Sequence, residues 1–348
     1  MTSLANSAVH RPIRAPRGLG WWLAACAAGL VVLAGLSMAI GAGIGAQKVG
    51  PGELVDFLLG RSTEWSASVI LSLRLPRTVL GILAGAALGL AGVVLQTAVR
   101  NPLAEPGLLG VSAGSAAAVV LAIAFGATAL ALQVPLAIAG ALLGCSLALL
   151  VSGLRGSRED PVRLILAGAA INGLLGSVIS IALLLDQSTA DEMRFWTIGS
   201  LSGRDWQVAL AVLPPILVGA GIAALILRPL AALSVGEDLA RGLGHRPRLV
   251  RLAAMLSVAL LTGSATATCG PIAFVGLVVP FAARALVGPD IRRTLPLAAL
   301  LGPMVLLLAD ILTRVAVRPS ELPLGIVMAF VGAPILIAVV RSNRTGPA

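Results

Sequence analysis

A chain of 348 residues that is 58% apolar, only 11% charged and rich in glycine (40 residues) does not make a water-soluble globule. The net charge of +10 could suit nucleic acid, but no basic block is interleaved with aromatic residues, and the cations gather at the ends of apolar runs. The three cysteines, Cys26, Cys145 and Cys269, all fall inside apolar runs, where they read as small core residues rather than as disulfide partners.

In chain order, a tail at 1–18 carries Arg11, Arg14 and Arg17 ahead of a first apolar run at 21–40. This resembles a signal peptide, but the run is longer than a usual h-region and lacks a small-x-small cleavage site, so it reads as a first helix. Runs at 78–99, 107–126, 132–152, 164–185 and 206–227 follow. Each has about 20 residues, the length that carries a helix across ~30 Å of hydrocarbon. The third and fourth come from Pro106–Leu154, a stretch without charge, hinged near Gly126 to Pro135. A polar insert at 228–250 comes next, then Leu252–Val287, which is too long for one span and tight for two. It is interrupted by Thr262-Gly-Ser-Ala-Thr-Ala-Thr268 and Gly270-Pro271. Runs at 295–313 and 323–340 and a tail at 342–348 complete the chain. Continuous apolar runs exclude the alternating strands of a barrel. The fold class is an all-α polytopic membrane protein with a single transmembrane domain over 19–341.

Charge bias decides the span count. Two spans within 252–287 give ten in total, with both termini in the cytoplasm. The inner side then holds Arg11, Arg14, Arg17, Arg100, Arg155, Arg158, Arg163, Arg228, Arg241, Arg246, Arg248, Arg251, Arg284, Arg292, Arg293, Arg341 and Arg344, which is 17 of the 25 cations. A single span there gives a weaker asymmetry. A repeat supports ten. Pro102-Leu-Ala-Glu-Pro-Gly-Leu108 and Pro271-Ile-Ala-Phe-Val-Gly-Leu277 match at an offset of 169 residues, which also pairs Thr97 with Thr266. Five spans separate the copies, so they face opposite sides, as in the inverted repeats of transporters.

Several residues carry chemistry. Gly236-Glu-Asp-Leu-Ala-Arg-Gly-Leu-Gly244 is a glycine-flanked polar segment between long apolar spans. Glu237 and Asp238 stand in its first turn, where negative charge suits the helix dipole. Ala240 and Gly242 are small enough for a partner surface to approach. The segment reads either as a solvated, capped loop or as a helix gripped by a soluble partner. Arg74, Arg77 and Arg314 lie on the outer side against the charge bias, and interfacial snorkelling is their ordinary role. Asp310 sits four residues before Arg314, spacing that suits an i,i+4 ion pair, the alternative being a residue facing a transport pathway. The only lysine, Lys48, lacks the Gly-Lys-[Ser/Thr] context of a phosphate-cradling loop. The two histidines, His10 and His245, belong to no intramembrane ligand cluster, so no metal site is expected and no cofactor bound by this chain.

An ordered set of motifs resembles a known family. Arg74-Leu-Pro-Arg77, Arg100-Asn-Pro-Leu-Ala-Glu-Pro-Gly-Leu-Leu-Gly-Val111, the Gly236–Gly244 segment and Gly270-Pro-Ile-Ala-Phe-Val-Gly-Leu-Val-Val-Pro280 come first. Leu308-Ala-Asp-Ile311, Glu321-Leu-Pro-Leu-Gly325 and Gly332-Ala-Pro334 follow. Together they are similar to the FecCD family of ABC-importer permeases, from about residue 20 to 341. The resemblance implies a ten-helix type II importer subunit in the cytoplasmic membrane, paired with a second permease, either a copy or a paralogue. It also implies a cytoplasmic ATPase dimer that uses ATP and Mg, and an extracytoplasmic substrate-binding protein. Residues 236–244 would then be the coupling helix, with Gly236, Glu237, Asp238, Leu239, Ala240, Arg241, Gly242, Leu243 and Gly244 at the ATPase. Arg74, Arg77 and Arg314 would be the binding-protein docking sites. Asn101, Pro102, Gly110, Ser112, Gly114 and Asp310 are the candidate pathway or gating residues, the small ones suiting a wide, weakly binding passage. Ferric siderophore is the expected cargo, with cobalamin or haem as alternatives. An ion-coupled secondary transporter and a non-transporting membrane anchor are the rivals from other classes.

Overall fold

The computed structural model describes residues 18–40, 51–127, 130–153, 161–185, 190, 193, 196–317 and 321–343. The tails expected at 1–18 and 342–348 fall almost wholly outside these residues. Every regular element described is helical. In chain order they are α1 (Leu19–Ala39), α2 (Pro51–Leu58), α3 (Glu64–Val69), α4 (Leu75–Val99), α5 (Val111–Ala124), α6 (Leu130–Gly153) and α7 (Pro161–Leu185). The second half contains α8 (Trp206–Leu225), α9 (Leu227–Val235), α10 (Glu237–Gly242), α11 (Pro247–Cys269), α12 (Val275–Val287), α13 (Ile291–Val315) and α14 (Leu324–Asn343).

Among the described residues, seven helices are long and apolar enough to cross a membrane, and three shorter apolar ones, within α5, α12 and α14, bring the total to the expected ten. The stretch 252–287 resolves into two helices, and the second, α12, is the short one. Two boundaries differ from the sequence reading. The second span starts earlier than 78, because α3 runs into α4 through a π-turn at Ile70–Arg74, where Leu75 N donates to Ile70 O. Pro76 has no N–H for the carbonyl four residues back, and the wider turn absorbs that loss. The insert at 228–250 is not a loop: α9, α10 and the start of α11 fill most of it.

The repeat is visible in the packing. Shifting α4 by 169 residues lands on 244–268, against 247–269 for α11. Those two helices pack together at the centre, with α4 lying along α13 of the second half and α11 along α6 of the first. The halves are therefore intertwined rather than side by side. Lipid tails supply no hydrophobic drive between helices, so close backbone approach has to. Gly81, Gly85, Gly89 and Gly92 line one face of α4. A Cβ on Gly85 would stand 2.6 Å from Gly302 O on α13, and one on Gly92 would stand 2.0 Å from Gly276 O on α12. Helices α5 and α6 meet the same way, with Gly114 against Gly140 and Gly110 against Gly144.

Where α4 ends, Arg100 adopts the left-handed conformation (φ 55°) and the chain turns back toward α5. Between α11 and α12, residues 270–274 are likewise non-helical, with Phe274 at φ 71°. These two unwound segments are the repeat motifs, and they touch. Phe274 N donates to Glu105 Oε1 at 2.5 Å, and those two residues are 169 apart, the repeat offset itself. Backbone freed from helix inside a membrane bundle needs such a partner. Nearby, Gln96 donates to Gly276 O at 3.3 Å and accepts from Arg284 Nη2 at 2.7 Å, fixing α12 to the end of α4.

Candidate functional site

The polar chemistry divides between the two ends of the bundle. At one end is α10. Gly236 leads into it in extended geometry, and Gly244, at φ 80°, closes it. His245 N donates to Ala240 O at 2.9 Å and Gly244 N to Arg241 O at 2.9 Å, the paired bonds of a Schellman cap, which favours glycine at that place. Ala240 is buried beneath the helix. Glu237 does not face a partner freely: it pairs with Arg251 on α11 and with Arg241 at 3.0 Å. Asp238 is fully exposed and lies 3.3 Å from Arg241. Leu239 and Leu243 are exposed on the same helix, with Val235 and Leu249 exposed beside it. Val235 and Leu249 escaped the sequence reading. They line, with Arg100, Arg246 and Arg248, a groove of about 1160 Å³ along α10. The nine residues read as one segment thus separate into a lead-in (Gly236), a brace (Glu237, Arg241), a seat (Ala240), a closing pair of glycines (Gly242, Gly244) and an outward face (Asp238, Leu239, Leu243).

At the other end, Arg74, Arg77 and Arg314 come together, but their guanidinium groups turn inward. Arg314 donates to Ser37 O (2.8 Å), Ile40 O (2.6 Å), Ser37 Oγ (2.7 Å) and Asp310 O (3.3 Å). Its Nη2 also stands 2.8 Å from Asp310 Oδ2, in an ionic contact outside hydrogen-bond alignment, with the side chain 3% exposed. It thus makes four hydrogen bonds besides the ionic contact, three of them to backbone carbonyls. Arg74 donates to Met38 O at 2.7 Å and is buried. Arg77 Nε and Nη2 reach Asp310 Oδ1 at 3.0 and 2.8 Å, and its Nη1 and Nη2 reach Glu321 Oε1 and Oε2 at 3.0 and 3.1 Å. Interfacial snorkelling, their ordinary role, does not describe them: they clamp α1, α4 and α13 from within. The i,i+4 pairing of Asp310 with Arg314 is present as expected.

Glu321 is the member of this cluster that the sequence reading missed as a charge partner. It accepts from Ser202 Oγ at 2.5 Å as well as from Arg77. Burial raises its carboxyl, but the hydrogen bonds and charge of Arg77 outweigh that and hold it below the usual carboxylate range. Its pairing therefore stabilises the folded chain above the unfolded carboxylate range and is lost as pH falls through the lowered folded-state value. Around Asp310 the charges are balanced, the Arg77 and Arg314 guanidinium groups against the Asp310 and Glu321 carboxylates. Burial of such charges is tolerable only with that balance.

The remaining pathway candidates hold local structure. Asn101 Oδ1 accepts from Leu103 N at 2.9 Å, forming with Pro102 the turn that ends α4. Gly110 and Gly114 are packed against α6, so they do not line an opening within the subunit. Ser112 is partly exposed, while Ser115 Oγ donates to Ala137 O at 2.7 Å inside the bundle.

The sequence profile of the FecCD transport family matches residues 30–342. The chain belongs to that family. It is 43% identical, over 92% of its own length and 96% of the relative's, to the ferric enterobactin transport system permease protein FepD of Escherichia coli strain K12. It is 40% identical to the iron(3+)-hydroxamate import system permease protein FhuB of Bacillus subtilis strain 168, over 82% of this chain and 74% of that one. Among solved structures, a metal-chelate type ABC transporter in an inward-facing conformation matches with a TM-score of 0.79 at 29% identity, covering 93% of this chain and 99% of that one. The FecCD family is one of membrane permease subunits of ABC transporters, and the ten apolar helices fit a multi-pass protein of the inner membrane.

Proposed function

We propose that this FecCD permease moves a ferric siderophore across the cytoplasmic membrane, driven by ATP and Mg on a separate cytoplasmic ATPase dimer. A second permease subunit completes the pathway, and a substrate-binding protein delivers the cargo. One observation carries the coupling role: α10 turns Asp238, Leu239 and Leu243 outward while Glu237 ties it to Arg251 on α11. A helix that was only a solvated loop would need neither exposed leucines nor a brace to a core helix. The leucines suit an apolar groove on the ATPase, and the ion pair passes its movement to α11. An even number of spans puts both termini on one side, and the arginine bias places that side, with α10, in the cytoplasm. The Arg77 end is then extracytoplasmic, where the docking protein meets the cluster through its exposed edge at Glu321. The siderophore assignment draws on the cargo named for the relatives.

The test is uptake by the reconstituted complex of ferric enterobactin, an iron(3+)-hydroxamate and ferric dicitrate, with cobalamin and haem as competing cargoes. One of the three iron chelates should accumulate with ATP, and accumulation of cobalamin or haem alone would replace the assignment. Glu237→Ala with Asp238→Ala should lower that uptake about tenfold or more while leaving the amount of inserted protein unchanged, since ~1.4 kcal/mol of lost coupling is already a factor of ten. Wild-type uptake in the double variant would remove the coupling role.

A further inference from the structure

Two helices are held to the bundle by few side chains. Among those described, α7 buries only Ala167, Gly168, Ile171 and Ala182, and α14 only Leu324, Val327, Met328 and Gly332. Helix α7 packs on α5, α6 and the short turn at Pro106–Leu109, whereas α14 packs on α12 and α13. Sparse burial marks the parts of a fold that shift at least cost. Each of these helices is fastened partway along by one of the unwound repeat segments.

On α7, Asn172 Nδ2 donates to Gly107 O at 3.1 Å, and Leu108 O fills the space that a side chain on Gly168 would need. On α14, Phe274 Cβ and Cγ fill the space beside Gly332 in the same way. The two segments are then joined to one another. A Cβ on Gly276 would stand 2.8 Å from Pro106 Cδ, and Phe274 N donates to Glu105. A route from α7 to α14 thus runs through Gly107, Glu105, Phe274 and Gly332.

Glu105 is the polar link in that route, and it is a helix cap supplied from the other repeat. Phe274 is the N-cap residue of α12, and its side chain offers no acceptor. In a capping box the N-cap N–H is taken by a glutamate or glutamine three residues on, but here that residue is Leu277. Glu105 takes its place, with a negative charge at the positive end of the α12 dipole. Among the described residues Glu105 has no ion pair and no other side-chain hydrogen bond. Its carboxylate is committed to the junction between the repeats.

Resting on the import reading above, we propose that Glu105 is a positioning residue for transport: its carboxylate caps α12 across the repeat and makes α7 and α14 shift together when the ATPase moves the bundle. The cap joins the one sparsely held helix of the first half to that of the second at the place where both chains unwind.

The permease is reconstituted with its ATPase and binding protein, and the ferric chelate that the wild type accumulates is counted per ATP hydrolysed. Glu105→Ala removes the acceptor and should lower that ratio about tenfold, the order of losing a hydrogen bond to a charged group. Its rate of ATP hydrolysis should stay at the wild-type level, because α10 is untouched. Glu105→Gln keeps an acceptor oxygen and loses only the charge, so its ratio should stay within about threefold of the wild type. Phe274→Gly takes the ring away from Gly332 while easing the φ of 71°, and should match Glu105→Ala. Amide hydrogen exchange with and without a non-hydrolysed ATP analogue reads the joint movement itself. Helices α7 and α14 should respond together in the wild type, and the α14 response should be lost in Glu105→Ala and Phe274→Gly. An unchanged ratio in both variants, uptake and hydrolysis that fall in proportion, loss of both variants from the membrane, or an α14 response that persists overturns the positioning role and leaves the import reading intact. A wild type that hydrolyses ATP without accumulating any of the chelates overturns the import reading, and the exchange measurement then still decides whether Glu105 joins the two helices.

Discussion

Asp310→Asn should leave little folded protein. The carboxylate accepts from Arg77 at 2.8 Å and contacts Arg314 at the same distance, with both its neighbours almost wholly enclosed. Removing it leaves two guanidinium groups facing one partly exposed Glu321. Breaking a buried pair by deleting one partner costs about 3–5 kcal/mol, a large part of the stability of any domain. Thermal unfolding of the purified chain in detergent should show a large fall in Tm, accompanied by a loss of membrane-inserted protein. Asp310→Leu combined with Arg314→Met should recover much of that loss. It restores charge balance, leaving Arg77 with Glu321, and replaces the inner pair with apolar volume. A single variant as stable as the wild type would show that the cluster does not hold the bundle together.

Gly92→Ala should be nearly as damaging, although it adds only a methyl group. The new Cβ would lie 2.0 Å from the carbonyl oxygen of Gly276, a backbone atom that cannot swing aside. Helices α4 and α12 would have to separate, opening the Gln96 to Gly276 contact along with the interface. Overpacking a tight core costs about 1–3 kcal/mol and more where backbone is struck. Gly221 on α8 has nothing within 4 Å of its would-be Cβ. There alanine should be neutral or stabilising by about 0.5–1 kcal/mol, because it narrows the freedom of the unfolded chain. Equal melting temperatures for the two variants would mean that glycine-mediated contact does not assemble these helices.

The ten spans were legible because a membrane imposes its thickness on each apolar run, and because arginine asymmetry could settle whether 252–287 crosses once or twice. Asp310 with Arg314 was legible as well, since four residues along a helix is a geometric fact. Arg77 with Asp310 was not: the partners are 233 residues apart, and only the packing of α4 along α13 joins them. The inward engagement of the arginines was hidden for that reason, as a sequence shows a cation without showing the acid it meets. The pairing of Glu105 with Phe274 was latent in the repeat, whose offset is their separation, but a shared offset does not by itself say that two copies touch. The helical character of 228–235 was hidden by composition, because Arg228 and Pro229 look like the start of a loop after an apolar span. Gly110 and Gly114 illustrate a further limit: a small residue is equally suited to a passage and to a close helix crossing, and only the facing Gly144 and Gly140 decide.

The claim beneath all of this is that the chain moves its cargo only when a separate ATPase grips α10. The most direct test loads sealed proteoliposomes with ATP and Mg and supplies the ferric chelate with its binding protein outside. The chain is reconstituted alone or with the ATPase dimer oriented inward. Accumulation above the external concentration should occur only with the ATPase present, and should vanish when the ATPase cannot hydrolyse ATP. Uphill accumulation by the chain alone would contradict the account.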